Sequence, residues 1–114
     1  MDIHSKKEGN VAVITLSGRL DAQTTPQYEA RSRELIEAGE LVHVVNLEQL
    51  DYVSSAGLRA FLVTAKQLKA KKGQIRFANA RGVVREVFDL SGFGAIFAMD
   101  DSVVLSIDAL SGQS

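Results

Sequence analysis

The sequence predicts an α/β fold: a mixed sheet of four or five strands with about four helices packed on it. Three observations carry this reading. The 114 residues, 46% hydrophobic and 24% charged, suit one domain large enough to bury its own core. Short β-branched apolar runs alternate along the chain with segments of helical period. Helices standing between strands imply right-handed crossovers onto a partly parallel sheet.

The elements follow in order. Asp2–Lys7 is a weak extended stretch that pairs as a hairpin, across Glu8-Gly9-Asn10, with the run Val11-Ala12-Val13-Ile14-Thr15-Leu16. That run reads as a buried strand ending at Ser17-Gly18. Thr24-Thr25-Pro26 opens a helix, with a hydroxyl as cap and proline in a first turn that needs no donor there. Tyr28, Leu35 and Ile36 form its apolar stripe, and Gly39 closes it in a left-handed conformation. Leu41–Leu47 is a second continuous apolar strand.

A helix then runs from about Ala56 to Lys72, with Leu58, Phe61, Leu62, Ala65 and Leu68 on one face and Gly73 as its stop. Gln74–Ala78 alternates as a short strand. Gly82–Ser91 carries Val83, Val84, Val87, Phe88 and Leu90 at helical spacing, with Gly92 just beyond. Asp100-Asp101-Ser102 caps a last helix whose inward residues are Val103, Val104, Ile107 and Leu110. Acidic residues there suit the positive end of the helix dipole. Ser111-Gly112-Gln113-Ser114 reads as a flexible tail.

Composition excludes several classes of chemistry. There is no Cys, hence no disulfide, thiolate metal site or cysteine nucleophile. His4 and His43 stand 39 positions apart, which is no metal-ligand cluster. A net charge of −1 gives no bulk attraction to nucleic acid or anionic membrane. No basic start is followed by an apolar core of a signal peptide, and no apolar run approaches the ~20 residues that span a bilayer. A cytoplasmic protein without cofactor or metal, inserting in no membrane and binding no nucleic acid directly, is expected.

The candidate site is Asp51-Tyr52-Val53-Ser54-Ser55-Ala56-Gly57-Leu58-Arg59, between a buried strand and the central helix. Two hydroxyls sit where the first helical N–H groups lack acceptors and the dipole end is positive. A phosphoryl group on Ser54 or Ser55 is electrostatically tolerated there. The plainer alternative is that Ser54 simply caps the helix. Gly57, without a side chain, lets another chain approach the backbone.

Asn46-Leu47-Glu48-Gln49-Leu50-Asp51-Tyr52-Val53-Ser54-Ser55-Ala56-Gly57-Leu58 resembles the signature of the STAS domain, as in bacterial anti-sigma factor antagonists. Gly18-Arg19-Leu20-Asp21, Lys72-Gly73-Gln74-Ile75 and Leu90-Ser91-Gly92-Phe93 are similar to further recurrent elements, in the right order. Ser-Ala-Gly-Leu is the most specific piece. The resemblance implies a single STAS domain over residues 1–110.

In that family the serine two residues before the glycine is the phosphoacceptor, which falls on Ser55, with Ser54 as second choice. The family often has Asp where this chain has Ser54. The resemblance implies a switch. An anti-sigma factor that is also a Ser/Thr protein kinase binds the unmodified antagonist, releases its sigma factor, then phosphorylates the serine and ends the partnership. A serine phosphatase resets the cycle.

Around this centre, Asp21, Asp51, Ser54, Ala56, Gly57 and Arg59 are the candidate partner-binding residues. Three of them have plainer readings: an Asx turn for Asp21, a turn residue for Asp51, a solvated helix position for Arg59. Arg59, Lys66, Lys69, Lys71 and Lys72 make the central helix basic, with no acid among them. This is either a docking face for an acidic partner or a solvated face whose late lysines complement the helix C-terminus. Phe61 and Phe77 fit core positions better than stacking platforms for nucleic acid.

Enzyme readings fare poorly. Val53 stands where a G-x-S-x-G elbow needs glycine. His43 would have to approach Ser55 in space to activate it. There is no G-x-x-x-x-G-K-[ST] loop. The sequence therefore points to an anti-sigma factor antagonist, a monomer or weak dimer that is a substrate of enzymes. The alternatives are a STAS subunit of a stress-sensing or lipid-transport complex whose serine is not modified, and a minor hydrolase. The net charge conceals a segregated pattern: Tyr52–Arg76 holds six basic residues and no acid.

Overall fold

The computed structural model describes residues 1–111. Its elements are β1 (Asp2–Glu8), β2 (Val11–Leu20), α1 (Thr25–Glu37), β3 (Val42–Val53), α2 (Ser55–Ala70), β4 (Gln74–Ala78), α3 (Gly82–Ser91), α4 (Phe93–Ile96), β5 (Met99–Asp100) and α5 (Val103–Ser111). The strands form one five-stranded mixed sheet in the order β1-β2-β3-β4-β5. β1 and β2 are antiparallel, and every later pairing is parallel. The expected α/β architecture is what the chain adopts.

Local chemistry explains the elements. Gly9, at φ +65°, takes the first central position of the two-residue β1–β2 turn, where a positive φ matches the strand twist. In the parallel register Ile14 lies opposite Val45, and Val45 opposite Phe77. These three belong to the main core, under α1, α2 and α3. Val11, Val13, Val44 and Ala78 point to the other face, where Leu110, Val103 and Ile107 of α5 cover them. Side chains alternate across a strand, so strands apolar on both faces require helices on both.

All five phenylalanines join the aromatic packing of the main core. Phe61 meets Tyr28 edge-on at 5.1 Å and Phe77 at 4.9 Å, and Phe97 packs against Phe77, Phe88 and Phe93. Phe61 and Phe77 are fully buried, so neither is a stacking platform.

Several boundaries differ from the sequence expectation. β2 continues through Ser17-Gly18 to Leu20, with register shifts at Thr15/Ser17 and Gly18/Arg19. Gly18, at φ +95°, accommodates the irregularity instead of ending the strand. β3 runs on to Val53 because Leu50 and Val53 stay buried while Glu48, Gln49 and Asp51 face solvent.

α1 has no side-chain cap from its hydroxyls; the Asp21 turn takes that role. Gly39 does close α1, and Glu40 N–H donates to Leu35 O at 2.8 Å. The left-handed residue after α2 is Lys72, φ +62°, not Gly73. Glycine is needed at 73 because a Cβ there would collide with the Leu41 carbonyl oxygen.

Val83, Leu90 and Val104 face solvent instead of the core. Ser102, not the aspartates, caps α5, accepting from Leu105 N–H at 3.1 Å. Asp100 instead pairs with Arg76 at 2.7 Å and accepts from Ser106 Oγ. Ser111 closes α5, and the rest of the expected tail, 112–114, lies outside the described residues. No helix of the described residues is long and apolar enough to cross a membrane.

Candidate functional site

Parallel pairing creates the site. Leu20 at the end of β2 lies opposite Val53 at the end of β3, so the segments leaving both strands emerge together. Ser54 N–H donates to Leu20 O at 2.9 Å and ties them. Asp21 and the Ser54-Ser55 pair are thus neighbours at the carboxyl edge of the sheet, where α/β folds commonly place binding sites.

The two serines have different jobs. Ser54 is half-buried and extended, and its Oγ accepts from Gly57 N–H at 3.3 Å as the cap of α2. Ser55 is the first helical residue and exposed. Its hydroxyl stands beside the unpaired N–H groups of the first turn, at the positive end of the helix. One serine fastens the helix; the other is presented to solvent.

Asp21 forms an Asx turn. Its carboxylate accepts from Thr24 N–H at 3.1 Å and Gln23 N–H at 3.0 Å, while Thr24 Oγ1 donates to Arg19 O at 2.8 Å. The Thr24 N–H, before all else, holds the Asp21 carboxyl below the ordinary aspartate range. An ionised, fixed carboxylate therefore stands on the β2 side of the site.

Asp51 is not a turn residue. It is an exposed strand residue skipped by the register, which passes from Gly18–Leu50 to Arg19–Tyr52. Ala56 is half-buried, while Arg59 is exposed one turn below Ser55 and makes no ion pair among the described residues.

Gly57 does something other than admit a partner. It is buried, and a Cβ on it would stand 2.9 Å from Val53 Cγ2 and 3.0 Å from Leu20 Cδ2. Its missing side chain lets α2 sit close over the ends of β2 and β3.

One pair at the site leaves no signal in the sequence. The Arg19 guanidinium lies over the Tyr52 ring, 4.4 Å from its centroid, and forms a cationic, aromatic surface next to Asp21. The pairing depends on β3 reaching Val53, which the polar residues after Leu47 disguised. His43 lies at the opposite end of β3, opposite Ala12 and Ile75. Its Nε2–H donates to Glu40 O at 2.8 Å, and burial lowers its pKa. It does not approach Ser55, so the base a hydrolase would need there is elsewhere in the fold. No group of His, Asp and Glu among the described residues could hold a metal ion.

Residues 2–106 match the STAS domain. The chain belongs to the STAS domain family. BtrV of Bordetella bronchiseptica, assigned as an anti-sigma factor antagonist, is 36% identical over 102 residues, covering 90% of this chain and 88% of its own. The anti-sigma factor antagonist SpoIIAA in its unphosphorylated form superposes with a TM-score of 0.76 at 26% identity, over 97% of this chain and 99% of that one. The phosphorylated form of Bacillus SpoIIAA, a cell fate determinant, gives 0.75 at 27% identity, over 96% and 99%. The carboxyl-edge site of this STAS domain is therefore built on the same fold as a protein solved in two phosphorylation states.

Proposed function

We propose that this STAS domain is a cytoplasmic anti-sigma factor antagonist, switched off by phosphorylation of Ser55. The observation that carries the reading is the division of labour between the serines: Ser54 is engaged as the helix cap, and Ser55 is free at the helix N-terminus. The names of BtrV and SpoIIAA, and the phosphorylated state of SpoIIAA, support it.

The partner in this reading is an anti-sigma factor with Ser/Thr kinase activity. It docks over Ser55, with Asp21, Asp51, Ser54, Ala56 and Arg59 around the acceptor and Gly57 setting the helix position beneath. Ser55 Oγ attacks the γ-phosphorus of ATP, its proton passes to a base of the kinase, and ADP leaves. The phosphate adds about −1.5 to −2 charges.

Within the antagonist that charge is tolerated at the positive end of α2. Against a partner surface it must be desolvated, and without a partner cation that is costly. One modification thus weakens the complex while leaving the fold intact. A serine phosphatase reverses it.

The test is phosphorylation by the cognate kinase with ATP, read by intact mass and site mapping. A single phosphate on Ser55, lost in Ser55→Ala and retained in Ser54→Ala, is expected. Label on Ser54 alone would move the acceptor by one residue. No label on either serine, with a stable complex, would leave the reading without its switch.

A further inference from the structure

Ser55, Arg59, Leu62, Lys66 and Lys69 are spaced by four, three, four and three residues along α2. At 3.6 residues per turn they fall within about 80° of one another. They form one stripe beside the face that buries Leu58, Phe61, Thr64 and Leu68, with Leu62 half-buried and packed against the main core. The stripe begins at the candidate phosphoacceptor and runs into a groove of about 400 Å³. Leu62, Ala65, Lys66 and Lys69 form one wall, Ile75 of β4 lies between the walls, and Ile96 stands on the other side.

The groove combines two unlike properties. Its apolar wall residue Ile96 is 62% exposed, a large aliphatic side chain in water beside other apolar groups. Its cations, Lys66 and Lys69, make no ion pair among the described residues, nor does Arg59 farther up the stripe, and α2 contains no acid. An occupant that satisfies both brings an apolar group and negative charge together.

We propose that this groove is a second docking surface, for a segment of the partner protein that carries a large apolar side chain flanked by carboxylates. The inference rests on the partner-binding reading above and extends its footprint down α2. Charge complementarity selects an acidic segment, and the stripe makes the groove continuous with the Ser55 face.

The arrangement also relates the two surfaces. Lys66 lies eleven residues from Ser55, roughly 16 Å along the helix axis, beyond the ~8 Å screening length at physiological salt. A phosphate on Ser55 acts on the near end of the stripe and leaves the groove's attraction in place. The two surfaces contribute separately, and changes at them add.

The experiment is calorimetric titration of the full chain into its cognate anti-sigma factor kinase, at two salt concentrations. It compares the unmodified protein with the Lys66→Glu/Lys69→Glu pair, with Ile96→Asp, and with Ser55→Asp. All sites are exposed, and melting curves verify that each variant folds. The lysine pair is expected to weaken binding at least tenfold and flatten its salt dependence. Ile96→Asp is expected to weaken it at least tenfold, and either change is expected to add to that of Ser55→Asp.

Unchanged affinity in both groove variants, with Ser55→Asp still disruptive, overturns the groove and leaves the switch standing. Absence of binding by the unmodified protein overturns both. Sedimentation is run alongside: a dimer of the unmodified chain that both groove variants dissolve, with partner affinity unchanged, assigns the groove to a second copy and overturns the proposal.

Discussion

Ser54 and Ser55 are adjacent and chemically identical, yet the backbone gives them opposite environments. Ser54 is extended and turns its Oγ back to Gly57 N–H; Ser55 has entered the helix and points outward. Removing a capping hydroxyl typically costs about 1 kcal/mol. Ser54→Ala is therefore expected to lower stability by about 1 kcal/mol, and Ser55→Ala to leave it within about 0.5 kcal/mol, both measured by denaturant unfolding. Equal losses in both would mean that the cap is shared. The serine pair was legible in the sequence as a phosphoacceptor or a cap; only the backbone angles divide those roles. Asp21 shows the same limit: its Asx turn is a local preference visible in the sequence, but its position beside Ser54 depends on Leu20 meeting Val53 across two strands.

At the scale of elements, the helices and strand cores were legible because burial writes a period into the sequence. The ends were less so. Glu48-Gln49-Leu50-Asp51 looks like a loop because three of its four residues are polar, but alternation keeps Leu50 in the core and its neighbours in water. The last residues of β3 and β2 are where the candidate site is formed. Glycine is hard to read for a related reason: at Gly57 and Gly73 the need is for space between packed elements, which no local pattern reveals. Gly57→Val is expected to cost about 2 kcal/mol, since the added carbons must displace Val53 and Leu20. Unfolding midpoints in urea measure it, and an unchanged midpoint would show that α2 can lift from the sheet freely.

At the scale of the molecule, titration and charge are distributed unevenly between the two ends of the sheet. His43 is buried at the amino end of β3, and burial depresses its pKa, opposed by its bond to the Glu40 carbonyl. The unfolded chain takes up this proton near pH 6.5 and the folded chain only lower. Its contribution to stability is complete above the unfolded value and is lost as pH falls through the folded one. Between pH 7 and 5 the slope from this single group reaches at most about 1.4 kcal/mol per pH unit. Urea unfolding across that range is expected to show the loss in the native sequence and a shallower one in His43→Gln. Parallel slopes would place the proton elsewhere.

The far end of the molecule carries the proposed switch at Ser55. From it the six bases of Tyr52–Arg76 run along α2 back toward the amino end of β3, a pattern the near-neutral total conceals. In the proposed switch this end binds an anti-sigma factor only while Ser55 is unmodified. The most direct measurement is the dissociation constant for the cognate anti-sigma factor of the unmodified protein and of the protein stoichiometrically phosphorylated on Ser55, in one buffer. A switch at Ser55 requires at least a hundredfold weaker binding after phosphorylation, with an unchanged melting profile. Equal affinity of the two forms would contradict it.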